Sequence, residues 1–361
     1  MINEQRLLQT FLNLVKIDSP SGHEKAVVKH VTELLEGLSL PLQISTDTYG
    51  NIICKTVSTE TPILLTAHLD TVEPGRGINP VIKDGIIQSD GKTILGADNK
   101  VGIAVIIESL TSYFEKYNTL SSLEVVFTVS EEVGNLGAIN LDYSNLKSKL
   151  GYSFDGSETV GSITVASPFY TRFDIKILGK STHAGKPEDG INPITVFTDA
   201  MQNVPLGRLH NETLCNIGMV SGGSARNSVP SSLTLNGEVR SYAEATLEQT
   251  LNNIYTQFNN CCEKYNAKFV FEKVRENGGF EYSDQDADIE TISKTLTSAG
   301  FKISLEKSLG CYDANIFVDN GIKIINFGNG SKFNHTVDEQ ISIKNLNEVC
   351  RLGFEVMENC F

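Results

Sequence analysis

His68 with Asp70, Asp98, the adjacent pair Glu131 and Glu132, Asp155 and His335 all stand at the ends of apolar segments of this chain. Imidazole and carboxylate groups in that mixture are ligands for Zn, Co or Mn, and without thiolates among them a structural zinc site is disfavoured. The chemistry they suit is hydrolysis of an amide at neutral pH, which needs an activated water and a polarised carbonyl. Two divalent cations roughly 3.5 to 4 Å apart supply both. Such a centre asks for one bridging carboxylate, a terminal imidazole and a terminal carboxylate on each cation, and one further carboxylate left free to take a proton. The chain holds that inventory. Taken singly, each residue also has an ordinary role: a hydrogen-bonded His at a strand end, Asp98 as a helix N-cap, Glu131 and Glu132 as a solvated corner. The apolar strand before that pair argues against full exposure, because adjacent buried carboxylates need a cation.

The elements that must position these groups alternate. Residues 24–36 place Val27, Val28, Val31, Leu34 and Leu35 on one helical stripe, and 63–67 (ILLTA) is a buried-type strand that runs into His68 and Asp70. Asp84-Gly85 between two apolar pairs predicts a hairpin. DNKVGIAVIIESLTSYF at 98–114 predicts a helix with a wide apolar face and Asp98 at its cap. Strands at 123–129 and 151–155 deliver Glu131, Glu132 and Asp155. Strands carrying polar groups at one end, with helices between, predict an open α/β sheet whose site lies along its carboxyl edge. After about Ser167 the pattern becomes α+β, with strands at 171–178, 214–220, 233–240 and 267–274 and helices at 193–203 and 244–264. The α/β pattern returns near 286, with a helix at 287–298, a strand at 323–327 and a last helix at 344–357. The expected organisation is a catalytic α/β domain over 1–168 and 277–361, its mixed central sheet flanked by helices, with an α+β domain inserted at 169–276.

In order along the chain, H-x-D at 68–70, G-A-D-N-K at 96–100, E-E-V-G-N-L-G-A at 131–138, F-D-G at 154–156, S-T-H-A-G at 181–185 and N-H-T at 334–336 resemble the M20 family of di-metal peptidases. The pairing of E-E-V-G-x-x-G-A with Asp155 and G-S-I-T-V-A-S-P at 161–168 looks most like its peptidase T branch of tripeptide aminopeptidases. The resemblance implies His68, Asp98 and Asp155 on one metal and Asp98, Glu132 and His335 on the other, with Asp98 bridging. It implies that Asp70 holds the His68 ring in its metal-binding tautomer, and that Glu131 is the general base acting on a metal-bridging water. His183 matches the histidine that in relatives reaches the partner subunit's site and donates to the oxyanion. Asn227 and Arg240 sit where the family carries groups for substrate backbone and carboxylate, although a loop residue and a strand-end salt bridge explain them equally. Two divalent ions, zinc with cobalt or manganese as alternatives, a short peptide substrate and a homodimer formed through the inserted domain follow from the same resemblance. An N-acyl-amino-acid amidohydrolase of the same family, or a catalytically idle binding relative, is the alternative. Where relatives often show G-G-x-D-A, this chain has Leu309-Gly310-Cys311-Tyr312-Asp313-Ala314-Asn315, so Cys311 and Tyr312 bear on specificity.

The 361 residues carry 44 acidic against 30 basic groups, a net charge of −14. That balance leaves no basic face for nucleic acid and disfavours an anionic membrane. No stretch approaches the ~18 apolar residues of a membrane span, and the N-terminus lacks the features of a signal peptide. A cytoplasmic protein is expected. The seven cysteines show no C-x-x-C pair and are expected as reduced thiols, with Cys261 and Cys262 packing on a helix. His23, His30 and His210 match no motif and are expected to be structural.

Overall fold

A computed structural model describes residues 1–209 and 212–360; His210 lies outside the described residues. The chain divides into two compact units. One comprises Met1–Val165, Tyr282–Ser308 and the chain from Tyr312 on; the other comprises Ala166–Glu281 with Leu309–Cys311.

The first unit is built on a mixed sheet. Its strands lie in the order Gln43–Thr46, Ile52–Lys55, Leu123–Thr128, Ile63–His68, Leu150–Gly156, Lys323–Gly328 and Ser162–Ser167. The middle four run parallel to one another, so their carboxyl ends share one edge. The strand Leu123–Thr128 is buried along its whole length and Ile63–His68 nearly so, as strands covered on both faces must be. Against them packs the helix Ala97–Tyr117, buried at every residue from Asn99 to Tyr113. A helix apolar on all sides belongs in a core. Its one buried acid, Glu108, is matched by Arg6 (Nε to Oε2, 2.6 Å) and by the backbone N–H of Asn3 (2.7 Å). The terminal helices Glu4–Val15 and Ile343–Cys360 pack against it in turn.

Two local details position chemistry. Asp98 does not cap this helix: the chain is non-helical through Asn99, and it is Asn99 Oδ1 that accepts from Gly102 N at 3.0 Å, the bond an N-cap makes. The Asp98 carboxylate is thereby left free for other partners. Gly137, in the E-E-V-G-N-L-G-A segment, lies so close to the preceding strand that a Cβ would stand 2.2 Å from Val129 O. Only glycine allows that approach. The hairpin expected at Asp84-Gly85 joins Val81–Lys83 to Ile86–Gln88, with both turn residues at positive φ as a two-residue turn between twisted strands requires.

The second unit is a five-stranded antiparallel sheet in the order Gly207–Arg208, Leu214–Gly222, Ser232–Ser241, Phe169–Leu178, Lys268–Asn277. Phe173, Ile175 and Ile177 alternate onto its buried face and meet Leu251, Ile254 and Phe258 of the helix Glu244–Lys264. No described helix is long and apolar enough to cross a membrane.

Candidate metal centre

Each parallel strand of the first unit ends in a polar group. His68 closes Ile63–His68, the chain leaving Leu123–Thr128 turns through Ser130 into Glu131 and Glu132, Asp155 closes Leu150–Gly156, and the loop after Lys323–Gly328 carries His335. Asp98 comes in from the start of the helix. His68 Nε2 stands 3.2 Å from Asp98 Oδ1 and 3.5 Å from Asp155 Oδ1. His335 Nε2 stands 3.4 Å from Asp98 Oδ2 and 3.1 Å from Glu132 Oε1. Ligand atoms of His68, Asp98 and Asp155 lie within 4.8 Å of one another, as do those of Asp98, Glu132 and His335, and those of His68, Glu131 and Glu132. Asp98 presents one oxygen to each imidazole and belongs to two of these sets.

The electrostatics are those of a pocket with too many carboxylates for its protons. Burial pushes the Asp155 carboxyl up to about 8, His68 opposing only in part. Burial also raises Glu131, reinforced by the charges of Asp155, Asp313 and Glu132 against that of His68. Burial works against the charge of Asp98 too, yet His335 and His68 outweigh it and hold this carboxyl below the usual range. His335 is pushed up to about 10 by Asp98 and Glu132. The carboxylates facing the His68 and His335 rings thus favour the protonated form of each when nothing else neutralises the site. Glu132 Oε1 is buried with the His335 ring nitrogen 3.1 Å away but with no hydrogen-bond donor aligned on it among the described residues. A buried carboxylate oxygen in that condition is costly, and the donor set of imidazoles and carboxylates fits divalent cations of the Zn, Co and Mn type.

Near pH 7 the metal-free site holds protons shared among its imidazoles and carboxylates, His335 and the His68–Asp155 pair among them, and cation binding must displace them. Calorimetric titration with metal in two buffers of different ionisation enthalpy should show this release, and apparent affinity should rise as pH climbs through 8 toward 10. Buffer-independent heats would contradict the assignment.

Asp70 meets the His68 ring twice: Nδ1 lies 3.1 Å from its backbone oxygen and 3.4 Å from its carboxylate Oδ1. The carboxylate also accepts from Ser21 Oγ (2.7 Å) and from the backbone N–H groups of Glu131 (3.0 Å) and Glu132 (3.1 Å). It thus holds the two adjacent glutamates by their main chain while its carbonyl and carboxylate both face Nδ1 of the His68 ring.

Two further acids escaped the sequence reading. Glu24 Oε1 accepts from Ser130 N (3.0 Å) and Ser130 Oγ (2.8 Å). Glu339 accepts from Leu95 N (2.8 Å), Gly96 N (2.7 Å) and Asp98 N (3.0 Å), clamping the turn that carries Asp98. Only the position of Glu339 four residues after His335 could have drawn attention to it. Asn334 Nδ2 donates to Asp98 Oδ2 at 3.1 Å.

His183, Asn227 and Arg240 belong to the second unit. His183 is exposed on a short strand paired with Ser228–Val229, and Ala184 N donates to Asn227 O at 2.9 Å, which brings His183 and Asn227 together. His183 Nδ1 accepts from Gly185 N at 3.1 Å, so the neutral ring carries its proton on Nε2 and offers it outward. Arg240 lies over the Tyr170 ring (4.6 Å) and donates to Leu309 O (3.1 Å) and Glu238 Oε2 (3.2 Å), its Nε buried without a partner.

Two family models match parts of the chain: a peptidase dimerisation domain of the M20 type over residues 170–266, and peptidase family M28 over 51–173. The M28 segment carries His68, Asp98, Glu131, Glu132 and Asp155. The chain is 34% identical to the uncharacterized protein YqjE of Bacillus subtilis, over 99% of both chains. Among solved structures it is similar to the aminopeptidase PepT of Bacillus cereus (33% identity, TM-score 0.91, 99% of each chain). It is similar also to a tripeptidase of Staphylococcus aureus (34% identity, TM-score 0.94, 99% of this chain and 98% of that one).

Proposed function

The chain belongs to the M20 peptidase family, and from that premise we propose that it is a metal-dependent aminopeptidase releasing the N-terminal residue of short peptides, tripeptides first. The observation that carries this reading is the carboxylate of Asp98 shared between two sets of ligands, with Glu131 beside them.

His68, Asp98 and Asp155, and Asp98, Glu132 and His335, would hold two divalent cations, zinc in the first instance, which would supply a Lewis acid for the scissile carbonyl and bring a water's pKa toward neutrality. Glu131 takes the proton of the attacking water on its carboxylate and returns it to the departing amine nitrogen. Its raised basicity, caused first by burial and then by the neighbouring acids, suits a group that must hold a proton between the two events. Asp70 keeps Glu131 and Glu132 in register through their backbone N–H groups.

The inserted segment is the dimerisation domain, a reading supported by the M20-type match at 170–266. His183 then acts in the partner subunit's site, its Nε2–H donating to the oxyanion, while Asn227 and Arg240 bind the peptide backbone and carboxylate. His183→Ala should lower kcat about 10²-fold or more and leave the dimer intact in sedimentation; kcat unchanged would remove His183 from the chemistry. The cysteines whose side chains are described are all free thiols.

The deciding experiment offers the metal-loaded protein a mixture of free and N-acetylated tripeptides and identifies products by mass spectrometry. Release of the first residue from free peptides alone is expected. Cleavage of the acetylated peptides instead would make the protein a deacylase, and metal-dependent turnover of neither would point to the idle relative.

A further inference from the structure

Two residues near Glu131 have no part in the hydrolysis described above, yet are built against it. Asn135 Nδ2 donates both of its hydrogens to carboxylates: to Glu131 Oε1 at 3.1 Å and to Asp313 Oδ1 at 3.0 Å. Only the nitrogen end of an amide can face two carboxylates, so its orientation is determined. The other oxygen of Asp313 accepts from Thr128 Oγ1, at the end of the strand Leu123–Thr128. Asn135 is 5% and Asp313 6% exposed, and the backbone N–H of Asn135 also donates to Glu131 O at 2.8 Å. Glu131 is thus tied by main chain and side chain to an amide that is itself anchored to the sheet.

The tie matters because of where Glu131 lies. Its carboxylate forms, with His68 and Glu132, a third set of ligand atoms within 4.8 Å. A carboxylate left to swing there has a cation to bind, and once it binds, the lone pair that should take the proton is engaged. With Oε1 held by Asn135, one oxygen remains for proton transfer.

We infer that Asn135 and Asp313 are positioning residues that hold the Glu131 carboxylate as a proton carrier and keep it from becoming a metal ligand. The inference rests on the role given to Glu131 above. Asp313 is the acid of the L-G-C-Y-D-A-N stretch and Asn135 the amide of E-E-V-G-N-L-G-A, so both lie in segments that the hydrolytic roles leave partly unexplained.

The test uses the full chain loaded with cobalt. Asn135 sits at φ 56°, a conformation glycine accepts, so Asn135→Gly removes the amide without straining the turn. Asn135→Gly and Asp313→Ala should each lower kcat about 10- to 100-fold with KM within about twofold, and the double variant should lose no more than the weaker single, because both act through one group. Asp313→Asn keeps an acceptor for Asn135 and should retain most of kcat. In Asn135→Gly the cobalt absorption should shift and weaken as a further oxygen joins the metal, and a chelator should remove one ion more slowly. Wild-type kcat in Asn135→Gly, additive losses in the double variant, or an unaltered cobalt spectrum would each overturn the inference. Glu131→Gln separates the two levels: if it is inactive while Asn135→Gly behaves as wild type, only the positioning role fails; if it is fully active, the reading of Glu131 fails as well.

Discussion

Replacing Glu131 by Gln should lower kcat by about 10² to 10⁴-fold while leaving KM and the bound metal close to wild type. Gln matches Glu in shape, its amide oxygen still accepts from Asn135 in place of the carboxylate oxygen, and the backbone N–H at 131 keeps its bond to Asp70. Packing and position are retained. What is lost is the ability to hold a proton, and the burial and neighbouring charges that raise the basicity of Glu131 have nothing to act on in an amide. Steady-state kinetics on a tripeptide, with metal content measured by plasma mass spectrometry on the same samples, checks both halves. A variant within tenfold of wild type would place the base elsewhere.

Stripping the metal should cost the fold several kcal/mol. The metal-free pocket gathers Asp98, Glu131, Glu132 and Asp155 around two imidazoles, and Glu132 Oε1 has no aligned donor among the described residues. A ligand that binds only the folded chain stabilises it by about 4 kcal/mol when present at 1,000 times its Kd, and two such sites share Asp98. Thermal unfolding in chelator should therefore fall well below that of the metal-loaded protein and recover on addition of zinc, cobalt or manganese. Asp98→Asn should abolish most of that response, since both sets of ligands lose the same carboxylate. Identical midpoints with and without chelator would contradict a site of this kind.

Both expectations rest on segments far apart in the chain. The strand ends were legible because an apolar run that stops at a polar residue is a local signal: ILLTA before His68, LEVVFTV before Ser130, GYSF before Asp155. A mixed sheet with helices and an inserted α+β unit followed from the same periodicities. Asp98 was harder. Its place before a helix predicted a cap, but Asn99 one residue later takes that bond, because the chain departs from helical geometry at both residues.

Which groups are available and in what order the strands deliver them can be read along the chain, since hydrophobic period and residue type are properties of neighbours. How they are held depends on packing between distant segments. Glu339 reaches back 241 positions to bind the N–H of Asp98, Asp70 turns its carboxylate to the backbone of Glu131 and Glu132 61 and 62 positions on, and Asp313 meets Asn135 across 178. Such pairings arise when buried carboxylates must find donors wherever packing brings them, and no local pattern records which donor that will be.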